Sequence, residues 1–270
     1  THAVATIAEI TNVLLLRGMI GKPGAGVCPV RGHSNVQGDR TMGIREKMPA
    51  SFLAAPDSRS GITRPRRHGY DTVNAIRAMR DRRASVFVGM GGNFASATPD
   101  SEVTEAALRN CALTVQVSTK LNRSHLVHGA TALILPTLGR TDRDVVAGRK
   151  QVVSVEDSMS MVHLSRGSLA PPGPEVRSEV AIICQLAREL LGSAHPVPWE
   201  RFAADYDSIR DEIAAVVTGF ADFNRRVRAA DGFRLPHPPR DSREFPTSTG
   251  KANFVTEPLQ WVAVPPGRLV

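Results

Sequence analysis

A glycine-rich turn after a short apolar segment is the first feature that could bind a ligand. Residues 85–90 read SVFVGM, Gly91, Gly92 and Asn93 follow, and a helical pattern begins at Ser101. Glycines let a backbone approach a phosphate closely, and free N–H groups at the start of a helix then receive its charge. The spacing is not G-x-G-x-x-G and the next strand ends without an acidic residue, so an ordinary NAD site is not predicted. The alternative is a tight turn that needs glycine for steric reasons alone.

Polar side chains gather at the end of the next apolar segment. Residues 112–118 read ALTVQVS, and hydrogen-bonding side chains continue beyond them. Such groups can bind a purine edge, a ribose or a phosphate. The alternative is that Ser124 caps a helix while its neighbours face water. Because both turns follow strands of one predicted sheet, we expect them at a shared edge, where α/β proteins bind ligands. The polar residues are Gln116, Ser118, Thr119, Lys120, Asn122, Arg123 and His125.

A long loop over residues 18–43 is too rich in glycine for regular structure, and loops of this length with polar side chains tend to be functional. In it, Cys28 is followed by proline and has no histidine at ligand spacing, so we expect it to pack rather than react or bind a metal. We expect His33 to form hydrogen bonds rather than act as a base. Glu156 and Asp157, adjacent on a predicted strand, face opposite sides and cannot act as a pair. No catalytic residue and no metal ligand is therefore predicted in this chain.

The elements that would position these turns alternate between apolar strands and helices. Strand, helix, strand, helix, strand with short connections is the pattern of an α/β fold. We therefore predict a Rossmann-like, doubly wound parallel sheet with helices on both faces, followed by a helical and irregular C-terminal segment. The predicted helices are 3–17, 71–83, 101–110, 178–191 and 199–217, with a short one in 121–130; the predicted strands are 85–90, 112–118, 132–136 and 151–157; residues 46–70 and the tail after Gly219 are predicted to be irregular.

Length and composition favour a globular protein. With 270 residues, 41% of them hydrophobic, the chain can bury a core in one large or two small domains. We divide it into a helix and glycine-rich loop (1–45), a Rossmann-like nucleotide-binding part (46–160) and a helical, irregular segment that leads to a missing C-terminal domain (161–270). The first residues resemble neither an initiator methionine nor a signal peptide, so we suspect a piece of a longer polypeptide.

Cysteine content and hydropathy exclude further classes of protein. The three cysteines, Cys28, Cys111 and Cys184, lie far apart in the sequence. We therefore expect no zinc or iron–sulfur site built from this chain alone, and we expect a reducing, cytoplasmic location. No run of 18 apolar residues occurs, so no membrane span is predicted.

The positive charge is concentrated in one segment. The chain carries 34 basic and 26 acidic residues, a net charge of +8, and residues 59–83 alone hold eight arginines against two aspartates. Aromatic residues, which nucleic-acid-binding surfaces interleave with basic ones, make up only 5% of the chain. We expect a hydrated face or one that docks on missing protein. An anion or phosphate site is the alternative, and nucleic-acid binding is not expected.

Six sequence motifs, in order, resemble the molybdopterin-dependent oxidoreductases that bind molybdenum bis(molybdopterin guanine dinucleotide). The longest is LLLRGMIGKPGAGVCPVRGHSNVQGDRTMG, residues 14–43. The others are GMGGNFASATPD, TVQVSTKLNRSHLV, GATALILPTLGRTD, QVVSVEDSMS and FPTSTGKANF. Together they span essentially the whole chain and are most similar to the central part of formate dehydrogenase alpha subunits.

The resemblance implies a set of cofactor-binding residues. Residues of the long loop would lie near the pterin and dinucleotide, the glycine turn would hold a phosphate or ribose, and the following polar segment would line the nucleoside pocket. One position departs from the family pattern, because Ala132 stands where many relatives have an aspartate for the guanine. The implied cofactor-binding residues are Arg31, Gly32, His33, Gly91, Gly92, Asn93, Gln116, Ser118 and Thr119.

The resemblance also implies a function for the complete protein. It would oxidise a small molecule, formate or a similar substrate, by two electrons at molybdenum, and pass the electrons to an electron-transfer partner. The molybdenum ligand and any iron–sulfur cluster would lie in a missing N-terminal region, and a missing C-terminal domain would complete the cofactor site. We expect the isolated chain to be inactive. The alternative is a non-catalytic α/β module that binds a nucleotide or another anion through the same loops.

Overall fold

The chain folds into two compact units in the computed structural model. The model describes residues 3–30, 32–33, 35–258, 264 and 266–267. One unit comprises Thr1–Gly32 and Leu235–Val270, and the other comprises His33–Arg234. The three functional parts predicted from the sequence, 1–45, 46–160 and 161–270, are a different division of the chain and stay a prediction.

The helices and strands of the described residues follow one another along the chain in a mixed order. The helices are α1 (Ala3–Leu16), α2 (Val36–Thr41), α3 (Ala50–Ser60), α4 (Thr72–Arg80), α5 (Phe94–Ala97), α6 (Ser101–Arg109), α7 (Glu179–Leu191), α8 (Trp199–Ala204), α9 (Tyr206–Val216), α10 (Phe223–Arg226) and α11 (Pro238–Asp241), with a 3-10 turn at Arg123–His125. The strands are β1 (Val86–Met90), β2 (Leu113–Ser118), β3 (Thr131–Pro136), β4 (Val145–Val146), β5 (Arg149–Lys150), β6 (Val153–Glu156), β7 (Met161–Ser165) and β8 (Phe233–Arg234). Among the described helices, none is long and apolar enough to cross a lipid bilayer.

The first unit joins the N-terminal helix to the C-terminal segment of the chain. Asn12 on α1 is buried, and its Nδ2 donates to the Val255 carbonyl at 2.6 Å. The Val255 N–H donates in return to Asn12 Oδ1 at 3.3 Å. Arg243 Nε adds a bond to the Gly21 carbonyl at 3.2 Å. A buried amide whose hydrogen bonds are satisfied therefore fixes α1 against a segment distant in sequence.

The second unit is built on a parallel sheet of β1, β2 and β3, in that order. Both pairs are parallel and in simple register, with Val88 opposite Val115 and Val115 opposite Leu133. Short apolar strands separated by helical connections can pair in this way because each crossover returns the chain to the same end of the sheet. The predicted α/β class with a Rossmann-like parallel sheet is confirmed.

Two amphipathic helices pack on one face of this sheet. Asp71 and Asp100 cap α4 and α6 by accepting the N–H groups of Asn74 at 2.8 Å and Val103 at 3.0 Å. The buried face of these helices, together with residues of α5 and of the loops before β2 and β3, forms a core against which Phe87 of β1 packs. The core consists of Ile76, Met79, Ala95, Ala107, Leu108, Cys111 and Val127.

An antiparallel sheet of β6, β7 and β8 forms a second core in the same unit. Phe220, Phe223 and Phe233 pack there with ring centroids 4.8 to 5.8 Å apart. Nearby, the buried Arg210 donates to the Val152 carbonyl at 2.8 Å and pairs with Asp207. Because the guanidinium is satisfied on several sides, its burial is tolerated.

Four element predictions were wrong. The tail after Gly219 was expected to be irregular, yet α10, β8 and α11 form there. Residues 46–70 were expected to be irregular, yet α3 forms there and ends at Gly61, whose φ of 69° closes the helix. The predicted helix 199–217 divides at Asp205, which is extended and caps α9 by accepting the Asp207 N–H. The long loop 18–43 was expected to lack regular structure, but the short helix α2 lies within it.

Substitution of Gly129 tests how closely the backbone before β3 packs against Cys111, which follows α6. A Cβ at this position would collide with the Cys111 carbonyl oxygen, which already accepts the Ala130 N–H at 3.0 Å. We expect Gly129→Ala to lower the free energy of unfolding by about 1–3 kcal/mol, since the backbone must shift. Gly173→Ala is the matched control, because its Cβ would meet only Val176 Cγ2 at 3.9 Å. Urea unfolding followed by circular dichroism measures both, and equal stability of the two variants would contradict the packing described.

Candidate functional site

The carboxyl edge of the parallel sheet brings two of the predicted segments together. Met90 and Val117 are register partners, so β1 and β2 end side by side. The Gly91 N–H then donates to the Val117 carbonyl at 2.8 Å. The glycine turn therefore leaves the sheet directly beside Ser118 and the polar segment that follows it, as a shared edge requires.

The segment after β2 holds the glycine turn in place. Asn122 Nδ2 donates to the Gly92 carbonyl at 2.7 Å, and Ser124 Oγ donates to Asn93 Oδ1 at 3.1 Å. Ser124 Oγ also accepts the Ala95 N–H at 3.0 Å, and the residue is 1% exposed. The sequence also allows Ser124 to cap a helix, but Asn122 caps the 3-10 turn. Ser124 instead links the two turns, a contact that its spacing in the sequence does not reveal.

Backbone conformation explains the glycines of the turn. Gly91 and Gly92 have φ angles of 68° and 71°, which favour glycine, and a Cβ at either would meet no atom within 4 Å. Gly89 differs, because its Cβ would lie 2.7 Å from Gln116 Oε1. The turn therefore needs glycine for its conformation, whereas Gly89 leaves room for the neighbouring amide. Gly91 and Gly92 are exposed and Asn93 is half-buried.

Buried polar atoms without partners cluster at this edge. Gln116 and Ser118 are 5% and 7% exposed. Within the described part of the chain, neither Gln116 Nε2 nor Ser118 Oγ has a hydrogen-bond partner, and the same holds for His125 Nε2. Folded proteins satisfy nearly all such atoms, since an unpaired buried donor costs about 1–3 kcal/mol. Three such atoms within ten residues, which we call the orphaned atoms, therefore make this edge the candidate site for a hydrogen-bonding ligand. Thr119 follows and is exposed.

The long-loop residues are placed differently. Arg31 lies outside the described residues, and Gly32 and His33 are exposed. The His33 carbonyl accepts the Val36 N–H at 3.1 Å, and no described hydrogen bond joins His33 to the sheet edge. The roles predicted for these three residues stay predictions.

The loop beyond His33 packs on β6 through its amide side chains. Asn35 Oδ1 accepts the Glu156 N–H at 2.9 Å, and Gln37 Nε2 donates to Ser160 Oγ at 2.9 Å. Gly38 is buried in this contact, where a Cβ would collide with Asn35 Oδ1. The polar side chains of the loop therefore stabilise the fold here. Glu156 is also buried, and its Oε2 has no partner among the described residues.

Ala132 lies at the opposite end of its strand from the candidate site. It is the second residue of β3 and pairs with Thr114, while the carboxyl edge is reached at Pro136. Four residues of extended strand separate the two, or roughly 13 Å. A side chain at position 132 is thus remote from Ser118 and the glycine turn, and its replacement by alanine removes no group from this edge.

A large cavity away from the sheet edge is lined by other residues. A groove of about 970 Å³ lies between the β4–β5 hairpin, α7 and α8, and none of the predicted site residues lines it. Two of its lining residues, Asp144 and Ser178, contact the buried Tyr206. Tyr206 Oη donates to Asp144 Oδ2 at 2.5 Å and lies 2.6 Å from Ser178 Oγ. Burial and the neighbouring Asp144 raise the pKa of Tyr206, so it remains a proton donor. Because the sheet edge has the orphaned polar atoms, we place the candidate site there rather than in the groove.

Metal-binding groups are sparse in the described part of the chain. No three histidine, cysteine, aspartate or glutamate side chains within it are grouped so that they could hold a metal ion. Burial raises the pKa of the Cys111 and Cys184 thiols, which keeps them protonated and unreactive. Cys28 is exposed.

The basic segment is partly neutralised by carboxylates. Arg59 pairs with Glu212 at 2.8 Å, and Arg64 and Arg66 both pair with Asp57, at 2.7 and 2.5 Å. Arg80 and Arg83 both pair with Asp81. Five of the eight arginines are thus engaged at the surface, which favours a hydrated, ion-paired face over an anion site.

Comparison with known proteins relates this chain to larger oxidoreductases. No protein-family model matches it. An uncharacterized oxidoreductase of Mycobacterium bovis is 81% identical over 269 residues, which is 100% of this chain and 34% of that protein. Protein YdeP of Escherichia coli K12 is 46% identical over 255 residues, 94% of this chain and 33% of that protein. The chain therefore spans about a third of the length of the curated relatives it matches.

A shorter similarity extends to an enzyme with a named substrate. Formate dehydrogenase H of Escherichia coli is 52% identical over 42 residues, 16% of this chain and 6% of that enzyme. This match is consistent with the resemblance of the sequence motifs to formate dehydrogenase alpha subunits, although it covers a small part of the chain.

Ser124 provides a test of how the two turns are joined. Ser124→Ala removes a buried hydroxyl that bonds both Asn93 and the Ala95 N–H. We expect the free energy of unfolding to fall by about 1–3 kcal/mol, because a buried N–H loses its partner. Hydrogen exchange measured by mass spectrometry should also accelerate over residues 91–95. Ser96→Ala, at an exposed neighbouring serine, is the control and should change neither quantity. Unchanged exchange in Ser124→Ala would show that the turn is held by other contacts.

Glu105 anchors the same segment through charge. Its carboxylate accepts Arg123 Nε at 2.6 Å and Arg109 at 3.2 Å, and the Arg123 hydrogen bond lowers the pKa of Glu105 below its usual range. Because its pKa is lowered in the folded state, the ionised Glu105 stabilises the fold at pH values above the ordinary glutamate pKa of about 4.3. This contribution is lost as the pH falls below that value and the carboxylate is protonated.

We expect Glu105→Gln to melt at a lower temperature than the wild type at pH 7 and at a similar temperature near pH 3. Thermal unfolding across this pH range measures the difference. Glu189→Gln, at an exposed position on α7, is the control and should show no such pH-dependent gap. A gap in Glu105→Gln that persists at low pH would exclude the ion pair as its cause.

Proposed function

We propose that this chain is the cofactor-binding central part of a molybdopterin-dependent oxidoreductase similar to formate dehydrogenases. The names of its long relatives, the short similarity to formate dehydrogenase H and the ordered motifs support this function. The substrate would be formate or a similar small molecule, and electrons would pass to a separate partner. The cytoplasmic location also stays a prediction.

The carboxyl edge of the sheet suits the nucleotide end of such a cofactor. Among the described residues, Gln116 Nε2 is a donor without a partner and Ser118 Oγ can donate or accept. His125 Nε2 is a donor, because His125 Nδ1 accepts the Asn122 N–H at 2.9 Å. Guanine presents acceptors at O6 and N7, while ribose and phosphate oxygens accept hydrogen bonds from hydroxyl groups. These orphaned buried atoms are the single observation that carries the proposal, because a bound guanine nucleotide would satisfy them.

Each residue at the edge would have a binding or positioning role. The molybdenum supplies two-electron redox chemistry when the cofactor is bound. Gln116 and Ser118 would bind the nucleoside, and the Gly91–Gly92 turn would admit the phosphates without steric hindrance. Asn122 and Ser124 would hold that turn and thereby keep the nucleotide in one orientation. The described side chains thus bind and orient the cofactor.

The position of Ala132 is compatible with this function. The family aspartate is absent, but position 132 lies far from the edge where the nucleotide would bind. Gln116, whose amide faces the space left by Gly89, is the side chain available to contact the base.

Cofactor analysis of the complete protein tests the proposal. We expect the purified protein to contain molybdenum by elemental analysis and to release GMP on acid hydrolysis. GMP-containing protein without molybdenum would instead support a non-catalytic nucleotide-binding module. Protein with neither, after expression in a host that makes the cofactor, would contradict both.

Gln116→Leu separates cofactor binding from folding. Replacement of a buried amide that has an unpaired atom by an apolar group of similar size should leave the stability of the cofactor-free protein unchanged or higher. Cofactor content should fall about tenfold, the effect of one lost hydrogen bond of about 1.4 kcal/mol. Gln185→Leu, at an exposed glutamine of the groove, is the matched control and should retain its GMP and molybdenum. Unchanged loading of Gln116→Leu would remove Gln116 from the site.

A further inference from the structure

The second face of the parallel sheet is apolar. Register partners in parallel strands point to the same side, so alternate residues of β1, β2 and β3 form three rows. Phe87, which packs on the helical core, lies on the other side. The rows are Val86–Leu113–Thr131, Val88–Val115–Leu133 and Met90–Val117–Leu135.

The two outer strands of this face are open to solvent, whereas Val117 of the middle strand is buried. Val86, Val88, Met90 and Leu133 are 55%, 49%, 42% and 48% exposed. The face that the helices cover instead contains the buried polar residues Thr114, Gln116 and Ser118. The four exposed residues on β1 and β3 are thus apolar, and a contiguous apolar surface in water is the reverse of the arrangement that hydrophobic burial favours.

Parallel sheets are found with both faces covered, because the crossover helices that join the strands pack on them. An isolated exposed leucine or valine is ordinary, but a contiguous apolar patch marks a contact surface. The four exposed residues lie in adjacent rows and form one such patch. The surface therefore requires a partner in the working protein.

We propose that helices from polypeptide outside these 270 residues, in the same longer protein, cover this face. The Mycobacterium bovis relative, 81% identical, matches this chain over 34% of its own length, so about two thirds of that polypeptide lies outside the match. Helices are the elements that cover the faces of α/β sheets. The proposal is independent of the cofactor.

The size of the face argues against a second copy as its cover. Three strands about 4.8 Å apart and about 18 Å long present roughly 250 Å². A stable interface between separate proteins buries about 800 Å² on each partner. A covering segment of the same chain needs no such area, because it loses no translational freedom on docking.

Cysteine labelling of the complete protein tests this cover. Val88→Cys places a small thiol on the edge strand β1, in the middle row of the face. We expect maleimide to label it at least a hundredfold more slowly in native protein than in urea-unfolded protein, with the site identified by peptide mass mapping. Val153→Cys, at a strand valine with a similar exposure of 44%, shows that the reagent reacts with native protein.

Two outcomes would overturn the proposal. Native labelling of Val88→Cys within tenfold of the unfolded rate would show that the face is open to solvent. Protection that disappears on dilution would show that a second copy covers it. Slow labelling that is independent of protein concentration is the result that the proposed intramolecular cover requires.

Discussion

Parallel pairing of β1 with β2 is the constraint on which the candidate site depends. Their register ends both strands at one edge, and the Gly91 N–H continues the pairing onto Val117. The glycine turn and the polar segment after β2 begin side by side for this reason, and Ser124 bonds across them. A slip of one residue would turn Gln116 to the other face and dismantle the cluster of orphaned atoms.

The two faces of this sheet each leave an interaction unsatisfied. One face buries Gln116 and Ser118, which have polar atoms without a partner among the described residues, and the other exposes Val88 and its apolar neighbours. Stability alone would select neither arrangement, since one leaves hydrogen bonds unmade and the other leaves apolar surface in water. A nucleotide at the carboxyl edge beside Gln116 and Ser118, and further polypeptide on the other face, as we propose, would resolve both.

Local sequence patterns were sufficient to predict the elements around the site. The strand predictions 85–90, 112–118 and 132–136 agree with β1, β2 and β3 to within one residue at each end. Helix α3 was missed because Pro56 lies inside it and its apolar pattern is weak. Contacts such as Asn35 with Glu156, or Tyr206 with Asp144, join residues far apart in sequence and leave no local signal.

Residue types and spacing were enough to predict the α/β class, the order of the strands along the chain and the two turns at the carboxyl ends of the strands. These features follow from hydrophobic periodicity and turn chemistry over a few residues. Residue types and spacing did not reveal that Ser124 bridges the turns, that Ala132 lies at the far end of its strand, or that the exposed face is the apolar one. Those features depend on register and burial, which arise only when distant segments pack against one another.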